Sequence, residues 1–153
     1  MNPQSIDPAT HRKIAVDLFN YVWTLLEKAD RTPDEDEQML NAAHASRYHW
    51  GIVGSAKQFS IGDWQISRVY AVLKRNEPAL YHATRALRWA ESGDVGPFFV
   101  AYGYEAMARA CAVAGDRAGM ERNIGAAREL AALIPEQKDR AQLENDLATI
   151  RIG

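Results

Sequence analysis

The chain has 153 residues and one cysteine, Cys111. A lone thiol excludes an intramolecular disulfide framework and any multi-cysteine zinc site. It fits a reducing, intracellular setting, and the cytoplasm is the expected location. No stretch alternates apolar and polar residues with β-branched enrichment, so no strand is predicted. Long apolar runs are also missing. The richest stretch, 98–107, is too short to span a bilayer and contains Glu105. The first residues carry neither a basic patch nor an apolar segment, so no secretory leader is expected. Charge of one sign is not in excess: 18 basic against 20 acidic residues gives a net −2, which argues against a general nucleic-acid binder. Gly51 to Gly54 lacks the lysine and preceding strand of a phosphate loop. Ser46, Ser55, Ser60 and Ser67 show no nucleophile-elbow pattern.

What remains is an ordinary globular composition, 47% hydrophobic and 25% charged, long enough to bury a core without covalent staples. Charge is unevenly placed. Residues 1–40 hold 4 basic and 8 acidic side chains, 41–128 hold 11 and 7, and 129–153 hold 3 and 5. A +4 middle thus lies between acidic ends.

Stop and start signals delimit seven helices in one all-α domain spanning 1–153. The first runs from Asp7-Pro8 to about residue 30, with Ala15, Leu18, Phe19, Val22, Leu25, Leu26 and Ala29 on one stripe. Thr32-Pro33-Asp34-Glu35 reads as a capping box opening the second, whose acidic start suits the helix dipole. That helix ends near 51–54, completing an N-terminal hairpin over 7–57. A loop through Ser60-Ile61-Gly62 is expected to lead to a third helix at 63–74. The fourth covers 76–91, the fifth 97–114, the sixth ends before Pro135, and a capping helix takes 136–150.

The segment from Ile66 to Arg75 aligns with that from Met107 to Asp116, 41 residues on. Small or slender residues follow at matched offsets: Ala79 and Ala86 in the first copy, Met120 and Ala127 in the second. Such an offset is expected of stacked helical pairs, whose members must approach closely.

Ile66, Tyr70, Leu73, Ala79 and Ala86-Leu87 resemble the tetratricopeptide repeat over about 63–134, just under half the chain. The resemblance implies paired antiparallel helices stacked into a solenoid that carries a groove. Lys74 stands where the turn glycine is usual, Cys111 where an aromatic is usual, and the copies are seven residues further apart than the roughly 34-residue period. The string around His44 to Trp50 and Gly62 to Arg68 is also similar to a group of small bacterial proteins, which implies no particular activity.

By that resemblance Arg68 and Arg109, at equivalent positions, face the concave groove. Trp64 and Glu105 lie one turn earlier and Tyr102 about two turns before Arg109, with Arg47 expected nearby. Arginine beside aromatics suits carboxylate or phosphate recognition, because guanidinium binds both bidentately. Glu105 and Arg109 are equally an i,i+4 pair able to satisfy each other. The leading expectation is a non-enzymatic adaptor that binds a protein segment or a small anion.

An alternative is a small-molecule-binding protein or small enzyme. On helix two, Glu37, Asn41, His44 and Tyr48 form a polar seam, and His44 with Tyr48 could act as acid and base in a pocket with Arg47 and Arg68. A third reading is a homo-oligomeric subunit, with Phe98-Phe99 as a contact if exposed. No cofactor and no metal are expected: His44 and His49 are five apart, roughly 140° around a helix, and His44 could meet His82 only through tertiary contact. Cys111 is expected to be an inert packed thiol.

Overall fold

The computed structural model describes residues 2–153. Among them are seven α-helices and no strand, preceded by a short 3₁₀ turn at Pro3–Ser5: α1 (Pro8–Leu26), α2 (Pro33–Val53), α3 (Ala56–Val72), α4 (Asn76–Ser92), α5 (Pro97–Val113), α6 (Arg117–Ala131) and α7 (Gln137–Leu147). The all-α architecture expected from the sequence is the observed one. Asp7 accepts the Thr10 N–H at the start of α1, and Thr32 and Glu35 form the reciprocal capping box of α2. α1 stops at Leu26, short of the expected end. Beyond it the Arg31 guanidinium takes the carbonyls of Leu25 and Lys28 at 3.1 and 2.7 Å, satisfying groups a helix end leaves open.

The start of α3 differs most from expectation. Ser60, Ile61 and Gly62 lie inside the helix, which begins at Ala56 behind a Ser55/Gln58 capping box. The glycine that reads as a loop signal serves packing instead. A Cβ on Gly62 would stand 2.6 Å from Cδ of Arg47, so its absence lets the arginine lie across α3.

The helices pack as consecutive pairs, α1 with α2, α3 with α4 and α5 with α6. α1, α3 and α5 also contact one another in sequence, and α7 closes the end against α5 and α6. Ala79, Ala83, Ala86 and Ala90 form a fully buried small-residue seam along α4, and Ala127 does the same on α6. Buried serine hydroxyls stitch the pairs: Ser46 Oγ donates to Ala15 O, Ser60 to Ala86 O and Ser67 to Ala79 O, at 2.7 to 2.8 Å. Val22, Met39, Ile66 and Val69 are buried between the first two pairs, each contributing about 1.5–3 kcal/mol of apolar transfer. The N-terminal turn is tied down by His11, whose Nε2 bonds Pro3 O at 2.9 Å while Nδ1 meets Nδ1 of His49 at 2.7 Å. One of those two Nδ1 atoms must donate and the other accept, so the contact requires at least one neutral ring. Burial, then the nearby His11, lowers the pKa of His49.

The 41-residue repeat is visible at its turns. Arg75 N–H donates to Tyr70 O and Asp116 N–H to Cys111 O, both at 2.9 Å. Lys74 and Gly115 occupy the same left-handed position, at φ 61° and 77°. The extra length over a shorter helical repeat sits in helices, since α3, α4 and α5 each have 17 residues while the turn from α4 to α5 is only 93–96. A left-handed lysine carries a steric cost that glycine avoids. Lys74→Gly is therefore expected to stabilise the fold by about 1 kcal/mol in urea unfolding, and Gly115→Lys to destabilise it by about 1–2 kcal/mol.

Candidate functional site

Glu105 is fully buried in α5 and collects four hydrogen bonds. Its Oε1 accepts from Arg109 Nε and Nη2 at 2.8 and 2.6 Å and from Arg68 Nη1 at 3.3 Å; its Oε2 accepts from Trp64 Nε1 at 2.8 Å. Positions 64 and 105, and 68 and 109, are 41 residues apart in each case, so the repeat places the four on facing strips of α3 and α5. Arg109 Nη2 reaches on to Asp146 O at 3.1 Å and Thr149 Oγ1 at 2.9 Å. Tyr102 donates its hydroxyl to Asp146 Oδ2 at 2.6 Å. Five of the expected site residues, Trp64, Arg68, Tyr102, Glu105 and Arg109, are thus brought together. The arrangement departs from the anion-binding expectation in one respect: the arginines converge on a carboxylate of the fold itself. Burial, and then the neighbouring Arg109, lower the pKa of Arg68, with Glu105 opposing them.

Trp64 and Tyr102 have a second role. With Phe19 and Trp23 of α1 and Phe98 and Phe99 of α5 they wall a cavity of about 390 Å³, whose lining Ser60, Ile61, Gly103 and Gln142 of α7 complete. Trp64 stands perpendicular to Tyr102 at 5.6 Å between ring centroids and tilts 40° against Trp23 at 5.7 Å. Phe98 packs on Tyr102 at 4.9 Å and on Phe99 at 5.2 Å. Phe98 and Phe99 are half-buried cavity walls, not the exposed pair considered for a subunit contact. Gly103 permits the close approach behind the cavity, since a Cβ there would lie 2.8 Å from the Leu87 backbone. Trp64 Nε1 and Tyr102 Oη are engaged with the fold, so ring surface is most of what these walls offer a guest.

Arg47 lies elsewhere. Residues 63 and 64 are adjacent on α3 and point about 100° apart, so Trp64 faces α5 while Asp63 faces α2 and α4. Arg47 bonds Asp63 Oδ2 at 3.1 Å, His82 Nδ1 donates to Oδ1 at 2.8 Å, and Arg85 Nε approaches Oδ1 at 3.4 Å. Burial opposes ionisation of Asp63, but the His82 bond and the arginines outweigh it and hold its pKa below the ordinary value. The Arg47 guanidinium also lies 4.6 Å over the Phe59 ring.

The pocket joining His44, Tyr48, Arg47 and Arg68 does not form. Tyr48 is 54% exposed and packs edge-on against His49. His44 instead bonds the Tyr70 hydroxyl at 3.0 Å and meets His82 at 5.4 Å between centroids, the tertiary contact the sequence alone could only name as conditional. Loss of hydration, then His82, lower the His44 pKa, while Asp63 pulls it up. Among the described residues no group of three or more His, Cys, Asp or Glu side chains is placed to hold a metal. No described helix is long and apolar enough to cross a membrane. Cys111 is half-buried, its thiol pKa raised by burial and then by Asp116.

No family model, curated protein or solved structure matches the chain.

Sequence reasoning missed Asp63 and Arg85, which share no spacing with each other or with His82, and Asp146, which joins the cluster only through the docking of α7. Phe19 and Trp23 are one turn apart on α1, and Phe98 and Phe99 lie one turn before Tyr102 on α5, but only the packing of the helices shows that these strips meet Trp64. Removing the buried carboxylate leaves two guanidiniums and an indole without their acceptor. Glu105→Ala is expected to cost about 3–5 kcal/mol in urea unfolding, while Glu144→Ala, which breaks an exposed pair with Arg128, costs less than about 1 kcal/mol.

Proposed function

We propose that this chain is a binding module that takes a segment of a protein partner along the face built by α1, α3 and α5, seating one bulky side chain in the aromatic cavity. The observation that carries the reading is the placement of six aromatic rings around about 390 Å³ of space at the meeting of three helices. A core would close such rings against each other; here they line a volume within the range of ligand sites. The resemblance to tetratricopeptide repeats supports a groove for an extended or helical segment. The internal pairing of Arg68 and Arg109 with Glu105 favours a segment anchored by surface contact over a small anion held by charge.

A display selection from a randomised decapeptide library tests this reading. Enriched peptides are expected to share one bulky residue at a fixed position, and to bind Ile61→Trp, which fills the cavity, at least tenfold more weakly. Peptides that bind Ile61→Trp as well as the native chain, or no enrichment above that variant, would contradict it.

A further inference from the structure

We propose that the group seated in the aromatic cavity is an N-methylated ammonium, carried on a side chain of the bound segment; this rests on the segment-binding reading above. Three of the chain's four phenylalanines and two of its four tryptophans line this one cavity. Their planes are crossed rather than stacked. Trp64 and Tyr102 meet at 88°, and Trp23 tilts against Trp64, so the walls turn a corner and do not form a parallel slot. Ring faces are the negative part of the aromatic quadrupole, and crossed faces around a void are the arrangement that holds quaternary ammonium groups.

Two walls are tuned in the same direction. Trp64 donates its indole N–H to Glu105, and Tyr102 donates its hydroxyl to Asp146. A hydrogen bond to an anion pushes electron density into the donor ring and deepens the negative potential of its face. The charges of the network behind Trp64 and Tyr102 balance. Glu105 and Asp146 stand against Arg68 and Arg109, and both arginines are tied to Glu105. Lys57 already holds its ammonium 5.2 Å over the Phe99 ring, so that ring carries a cation of the fold and the guest seats against Trp23, Trp64, Phe98 and Tyr102.

The lining favours a methylated head over a plain ammonium. A plain ammonium brings three N–H donors that must be satisfied when it leaves water. The cavity offers few acceptors: its lining is six aromatic side chains with Ile61 and Gly103, and its polar members are Ser60, Tyr102 and Gln142, the first two already tied to the fold through their hydroxyls. A trimethylated head has no N–H to satisfy, keeps its charge and fills the space with methyl groups.

Isothermal titration of the native chain tests the inference with four probes: acetyl-Ala-Ala-trimethyllysine-Ala-Ala-amide, the same peptide with unmodified lysine, the same peptide with a neutral tert-butyl group in place of trimethylammonium, and free choline. The trimethyl peptide is expected to bind at least tenfold tighter than each of the other three. Phe98→Leu, which removes a ring that makes no hydrogen bond, is expected to lower that preference to less than threefold while the chain still unfolds cooperatively, a few degrees below the native melting temperature. Equal binding of the trimethyl and tert-butyl peptides would overturn the ammonium and leave an apolar anchor, and with it the segment reading, standing. Choline binding as tightly as the trimethyl peptide would keep the ammonium and overturn the segment as its carrier. Binding of none of the four probes would overturn the inference, and the display selection would then decide the segment reading separately.

Discussion

A carboxylate with no exposure to water organises this molecule. Taking Glu105 out of solvent costs several kcal/mol, and only good geometry with several donors offsets it. Those donors come from α3, through Trp64 and Arg68, and from α5 itself, through Arg109. Arg109 then extends the network to Asp146 and Thr149, and Tyr102 reaches Asp146 from one turn before Glu105. The charge thereby fixes the rotation of α3 against α5 and the docking of the C-terminal helix. The same bonds hold Trp64 and Tyr102 in the positions that make them cavity walls. Structure and candidate function share one set of contacts.

Asp63 plays the matching part on the other side of α3. It gathers Arg47 from α2 and both His82 and Arg85 from α4, so neighbouring residues on one helix anchor opposite layers. Among the described residues every buried side-chain nitrogen or oxygen has a partner, as a well-specified polar interior requires. Both carboxylates are held by side chains from more than one helix. The polar network therefore fixes which helices meet, while alanine seams and serine-to-carbonyl bonds fix how closely.

Helix existence and most boundaries were legible because caps are local. Thr32-Pro33-Asp34-Glu35 and Asp7-Pro8 act within one turn of chain, and the structure uses them as written. The start of α3 was misread because Gly54 and Gly62 both look like breaks. Gly54 is the C-cap of α2, whereas Gly62 lies inside α3, and what it packs on, Arg47, is 15 residues away. The Ser55-to-Gln58 cap was the signal that could have decided it. Within the site, the 41-residue spacing correctly paired Trp64 with Glu105 and Arg68 with Arg109. It could not say whether the arginines would meet a ligand or Glu105, because that depends on side-chain direction across two helices. Tyr48 and His44 share a helix face by spacing, yet Tyr70 and His82, from other helices, are what His44 meets.

The central claim is that the buried Glu105 carboxylate holds the Trp64 indole and, through it, the cavity wall. Amide-type exchange of the four indole N–H protons, followed by NMR, tests it directly. The Trp64 indole proton is expected to exchange far more slowly than those of Trp23, Trp50 and Trp89, and to exchange faster in Glu105→Gln, whose neutral amide oxygen is a weaker acceptor, while the rest of the spectrum stays dispersed. A Trp64 proton that exchanges like the other three in the native chain would contradict the account.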